Sequence, residues 1–295
     1  MTVLSNKTML VGLHIHQWSA RKHDPHVSDQ ITHEHDATRD AGRFNKLLIS
    51  HQALGPLKSI ISGARNAHTR QTLPWYDNGM RILPAQNYLH YMEIMSGSRM
   101  RFQDAVNTFI SDYAKNKVEA KKSLGTLYQE TDYPQEASLR RRFGFEVTVM
   151  PIPKGDDFRV NLQEEEVSRI QSKIEIRIAE AQHKAMADLW NRIHESVSHM
   201  HERLTAYGED PDSGRKTGMF RDTLVTNLRD LTDLLPRLNF MNDPQLEDMC
   251  QQLKSTLCAH DANDLREDGA LRRQTADKAQ DILDEMSGYV TQEAA

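Results

Sequence analysis

The chain has 295 residues, 38% hydrophobic and 27% charged, which predicts one or two domains with a core that needs neither metal nor disulfide staples. Its two cysteines, Cys250 and Cys258, lie eight apart in a stretch that reads as one helix, too far apart to bond; this excludes a disulfide-held scaffold and suits a reducing cytoplasm. The net charge of −5 is uneven, with 19 Lys+Arg against 13 Asp+Glu in residues 1–142 and 18 against 29 in residues 143–295, so the front half suits phosphate or an acidic partner and the back half repels nucleic acid.

The first apolar run, "MLVGL", is too short for a membrane span and ill-suited to a signal peptide, so a soluble, cytoplasmic protein is expected. The alternation in "TMLVGLHIHQW" predicts a strand at 8–17, with His14 and His16 on one face. Residues 18–35 are polar and contain a proline, which predicts a loop. "DATRDAGRFNKLLI" then reads as a helix capped by Asp36. A second helix is expected from Gln52 to Thr72, made irregular by Gly55, Pro56 and Gly63. "LPWYDNGMRILP" is a connector with a short extended piece, Met80 to Leu83.

A long helix is predicted from Pro84 to Leu124, with the stripe Tyr88, Met92, Met95, Phe102, Val106, Phe109 and Tyr113 on one face. The period then changes to two, predicting a strand at 143–150 and a second short one at 157–160. A second long helix runs from Leu162 to Tyr207. Its stripe from Val167 to Leu204 takes ten steps over 37 residues, which favours a nearly straight helix. At 1.5 Å per residue it is a rod of about 65 Å, too long to go without a partner helix. The 84–124 helix folding back antiparallel is the expected partner, and a second copy of the chain is the other candidate. "YGEDPDSGRKTG" (207–218) is the expected boundary, dividing residues 1–207 from a C-terminal helical segment, 219–295, packed on them as one cooperative unit. That segment should hold three helices, one stopping at Pro236, one capped by Asp243 with Pro244 in its first turn, and one from Leu265 to Tyr289. The fold class is therefore mostly α, a long antiparallel, coiled-coil-like helical hairpin with a small β unit. Roughly 60% helix is expected and less than about 15% strand.

Chemistry is harder to find. His33, Glu34, His35 and Asp36 stand together, with His23 and His26 upstream. The spacing is H-x-H, at 14/16 and 33/35, with no positioned third ligand, so no metal and no other cofactor is expected. There is no GxxxxGK[ST], GxGxxG or GxSxG; "GRKTG" (214–218) resembles a phosphate loop in composition alone. No catalytic residue is assigned. Arg140, Arg141 and Arg142 lead into the Phe143/Phe145 strand, the combination that single-stranded nucleic acid binding uses, although these rings share a face with Val147 and Val149, which reads as core. The densest unusual composition is Arg70, Trp75, Tyr76, Asp77 and Arg81 in the connector. With Trp18, Arg21 and Lys22 of "WSARK", they are the expected partner-binding surface: aromatic anchors ringed by positive charge. The competing reading buries both tryptophans.

Several stretches together, "WSARK" (18–22), "DAGRFNKLLI" (40–49), "TLPWYDNGMRILPAQNY" (72–88), "DYP" (132–134), "DFRV" (157–160), "FRDTLVTNLRDL" (220–231) and "LLPRLN" (234–239), resemble an uncharacterised family of phage, plasmid and conjugative-element proteins. The resemblance covers nearly the whole chain. It implies a setting beside a cobaltochelatase-like, MoxR-type AAA+ ATPase and a von Willebrand A domain protein, and it implies no catalytic residues. The expectation is a non-enzymatic accessory or adaptor protein of a mobile element. The alternative is a nucleic-acid-binding factor using the basic front half, with a metal-dependent enzyme third.

Overall fold

A computed structural model describes residues 3–76, 79–155, 163–209 and 216–290. The chain opens with α1 (Val3–Lys7) and β1 (Thr8–His16). The strand β2 (Arg21–His23), the helix α2 (Pro25–Glu34) and the strand β3 (Asn45–Leu47) follow. Next come α3 (His51–Arg70), β4 (Leu73–Pro74), β5 (Arg81–Pro84), α4 (Tyr88–Ser111), α5 (Tyr113–Leu124), α6 (Glu136–Arg140) and β6 (Gly144–Met150). The last third holds α7 (Glu164–Ala206), β7 (Gly208–Glu209), β8 (Lys216–Thr217), α8 (Thr223–Leu238), α9 (Pro244–Thr256), α10 (Ala262–Glu267) and α11 (Gly269–Val290). The described residues are 68% helical, with a small sheet in the order β4-β5-β1-β6. The strand expected at 157–160 lies outside the described residues.

Two compact units share the chain: residues 1–12, 69–90 and 149–295 make the first, and residues 13–68 and 91–148 the second. This division differs from the expected one at 207–218. The helices after residue 219 belong with α7, because its apolar stripe is the core on which they close.

In the first unit Ile178, Ala181, Ala185, Leu189, Ile193, Val197, Met200 and Leu204 are at most 3% exposed, every third or fourth residue of α7. They meet α8 and, above all, α11, through Ala276, Ala279, Ile282 and Met286. Arg272, near the start of α11, sits 4.9 Å from the ring centre of Tyr207, just past the end of α7. The two helices therefore run antiparallel. The hairpin expected from the stripe exists, but its second arm is α11 and not the 84–124 helix. The 22 residues of α11 reach about 33 Å, roughly half of the α7 rod. Burial along α7 accordingly starts at Ile178, and none of residues 164–177 is buried. Strand β5 pairs with β1 (Thr8↔Pro84, Val11↔Arg81) and with β4 (Leu73↔Ile82), all antiparallel. Asp243 caps α9 by accepting from the Gln245 amide at 3.0 Å, with Pro244 in its first turn, as the sequence indicates. Helix α8 runs through Pro236 to Leu238, two residues past the expected stop.

The second unit packs Trp18, Leu48, Ile49, Leu54, Leu57 and Ile61 against Phe102, Val106, Phe109 and Tyr113. Its entry corrects the sequence reading. Residues 25–34 are helix, not loop, because Asp24 accepts from the Val27 amide at 3.2 Å and Pro25 opens the first turn. Residues 36–44 form no helix; Asp36 takes a positive φ of 48° just past the helix end, and the chain extends into β3. The expected 84–124 helix is two helices broken at Asp112. There Ser111 Oγ bonds the Thr108 carbonyl at 2.8 Å, and Thr108 Oγ1 bonds the Asp104 carbonyl at 3.0 Å, back-bonding that bends helices. Lys46 of β3 is 2% exposed at its side chain, 3.2 Å from Asp24 and 2.6 Å from Asp132, and donates to the Leu127 carbonyl at 3.2 Å.

Candidate functional site

The connector that follows α3 is built around a helix end. The last carbonyls of a helix need donors from elsewhere, and two guanidinium groups supply them. Arg192 of α7 donates to the carbonyls of Arg70 and Thr72, both at 2.7 Å, and of Thr69 at 3.2 Å, while pairing with Asp188 at 2.8 Å. Arg81 donates to Thr72 Oγ1 at 2.7 Å and to the Thr72 carbonyl at 3.3 Å. Burial, followed by the nearby charge of Arg192, pushes the Arg81 guanidinium below its ordinary value. Arg81 is thus a structural cap rather than a rim charge. Trp75 is 2% exposed and packs in the core with Leu73 and Ile82.

Tyr76 is different. It is 47% exposed, its ring lies 4.7 Å from that of Trp75, and the Arg177 guanidinium stands 5.5 Å from its centre. Neighbouring Ile176 is 57% exposed. Arg177 and Ile176 sit on the part of α7, residues 164–177, in which no residue is fully buried. Arg70 is also exposed, 3.9 Å from Asp230. Asp77 lies outside the described residues.

The "WSARK" stretch belongs to the second unit and not to that of the connector. Trp18 is 6% exposed and packs edge-on against Tyr113, with centroids 6.0 Å apart, so it is core and not anchor. Arg21 and Lys22 face solvent on β2. Of the eight residues expected to form one partner surface, the two tryptophans and Arg81 hold the fold together, and Tyr76, Arg70, Arg21 and Lys22 are exposed.

Arg140, Arg141 and Arg142 are exposed at the end of α6. Arg140 donates to Asn107 Oδ1 at 2.7 Å. Phe143 and Phe145 are half-buried against Phe109 and Phe102, with centroids 5.7 and 5.8 Å apart. A cavity of about 210 Å³ opens between Phe102, Val106, Arg140, Phe143 and Phe145.

The histidines do not converge. His33 lies in the last turn of α2, His35 is its C-cap residue, and His23 is bonded to Ser28 Oγ at 3.0 Å. Among the described residues no group of three His, Cys, Asp or Glu side chains is placed to hold a metal ion. Cys250 and Cys258 are buried and free, and burial pushes both thiols up to about 11, which leaves them protonated and unreactive. No helix among the described residues is long and apolar enough to cross a membrane.

Sequence reasoning missed Arg177, which lies about a hundred positions from the tyrosine it covers; no local pattern joins them. It also missed Lys46, an unremarkable lysine in sequence and a buried cation in the structure. Comparison with known proteins gives no match to a family model, to a curated protein or to a solved structure.

Proposed function

We propose that the protein is a non-enzymatic accessory or adaptor protein of a phage or other mobile element. It works in the cytoplasm and binds the AAA+ ATPase or von Willebrand A domain protein that the sequence resemblance implies. The observation that carries the reading is Tyr76, half-exposed with the Arg177 guanidinium over its ring. Tyrosine and arginine are among the residue types that dominate protein–protein binding energy. Arg177 stands just before the buried run of α7, which starts at Ile178. The expected result is that Tyr76→Ala combined with Arg177→Glu abolishes co-purification of the ATPase from cells carrying the element, with the melting temperature unchanged within a few degrees. Undiminished recovery of the ATPase would overturn the reading.

A second reading, a nucleic-acid-binding factor, is favoured by one observation: three exposed arginines beside half-buried Phe143 in a unit with 16 Lys+Arg against 13 Asp+Glu. Contact through so few charges is backbone neutralisation, so binding should be weak and fall steeply with salt. Tight binding at physiological salt that is lost on replacing Arg140, Arg141 and Arg142 with serine would put this reading first.

A further inference from the structure

The first unit is strongly acidic, with 21 Lys+Arg against 29 Asp+Glu, yet among the described residues one of its cavities has no acidic residue in its wall. This cavity, about 320 Å³, lies between the end of α7 and the start of α8. Its polar lining is His199, Arg203, Arg221, Thr223 and Asn227. Its apolar wall is Met219, Phe220 and Leu224.

Three features make it suited to an anion. Arg203 donates its Nε to His199 Nε2 at 3.2 Å, so its one observed partner within the wall is a ring nitrogen and not a carboxylate. Asp222, between Arg221 and Thr223 in the chain, is paired with Arg266, which also holds the Phe220 carbonyl at 3.1 Å. As a result Asp222 makes no side-chain cap on α8, and the Leu224, Val225 and Thr226 amides bond the Arg221 and Asp222 carbonyls instead, which leaves the cavity's positive charge to its two arginines. The wall itself is fixed by Gly218. With φ at +73°, it brings the chain so close to α7 that a Cβ there would lie 2.4 Å from the Ala206 carbonyl oxygen.

We propose that this cavity binds a small phosphomonoester with an apolar body. A phosphate carrying nearly two negative charges matches two guanidinium groups, which recognise its oxygens in a fork. The body rests on Met219, which is 72% exposed, and on Leu224. The volume falls at the small end of ligand sites, which selects a compact organic phosphate over a polymer. This site is separate from the Tyr76 surface, and neither depends on the other.

The test is calorimetric titration of the full chain with phenyl phosphate at low salt, with benzoate as the singly charged comparison. One-to-one binding is expected, with benzoate at least tenfold weaker. The Arg203→Gln, Arg221→Gln double variant should lose at least tenfold in affinity at an unchanged melting temperature, both side chains being exposed. Should that variant fail to fold, Met219→Glu keeps the test decisive, since it places a carboxylate at the mouth and should abolish binding. No binding of phenyl phosphate, binding undiminished in the folded double variant or in Met219→Glu, or benzoate binding as tightly, would overturn the proposal.

Discussion

Replacing Lys46 with methionine is expected to destabilise the protein by about 3–5 kcal/mol, read as a lower urea midpoint at unchanged slope. The ammonium group is buried between Asp24 and Asp132, whose side chains are only 11% and 7% exposed. Methionine fills the same space and leaves two carboxylates without a cation. Adding Asp24→Asn and Asp132→Asn to the methionine variant should recover most of the loss, since asparagine still caps a helix and no buried charge remains. The pH dependence follows with its sign. The Val27 amide, helped by Lys46, holds the Asp24 carboxyl below its ordinary 3.8. Its stabilisation is present above 3.8 and is lost as pH falls through the lower folded value. For Lys46, burial works to lower the ammonium, and the Asp132 and Asp24 carboxylates outweigh it and raise it above 10.5. That contribution is full below 10.5 and is lost as pH rises through the folded value. Stability measured against pH should therefore be flat between these limits and fall at both ends.

Replacing Trp75 with alanine should be comparably severe, about 3–5 kcal/mol, because it empties a fully enclosed volume in the core that α7 closes. Its neighbour gives the contrast. Tyr76→Ala removes a ring that is 47% exposed and one arginine contact, and should cost less than about 1 kcal/mol. Thermal and urea unfolding of the two variants side by side checks this. A mild Trp75→Ala with a severe Tyr76→Ala would reverse the assignment of core and surface.

The long elements were legible because their apolar residues keep time. The α7 stripe from Ile178 onward, the strands β1 and β6, and the Asp243–Pro244 start of α9 appear in the sequence as they appear in the structure. The expected start of the stripe at Val167 and the core face of β6 do not, since residues 164–177 are not buried and Val149 is 43% exposed. Helix α2 was not legible, although Asp24–Pro25 is the same signal as Asp243–Pro244. Its buried residues are Ser28 and Thr32, whose hydroxyls bond back to the carbonyls of Asp24 at 2.7 Å and of Ser28 at 3.1 Å. A helix that buries hydroxyls gives no hydrophobic period to detect. Pairing was hidden for a different reason: a stripe states that a face needs cover and not which helix provides it, so the 84–124 helix and a second copy of the chain were the candidates and α11 was not. The candidate site was half legible. Composition pointed to the connector, but which of two adjacent rings faces water depends on α7, nearly a hundred residues downstream.

The measurement that bears most directly on the adaptor reading is photo-crosslinking from position 76. A benzophenone amino acid is placed there, and in parallel at exposed Leu89 and Met100, in cells carrying the element. The account predicts a light-dependent adduct with the AAA+ ATPase or the von Willebrand A protein from position 76 and none from the other two. An adduct with that partner from position 89 or 100 and none from position 76 would contradict it.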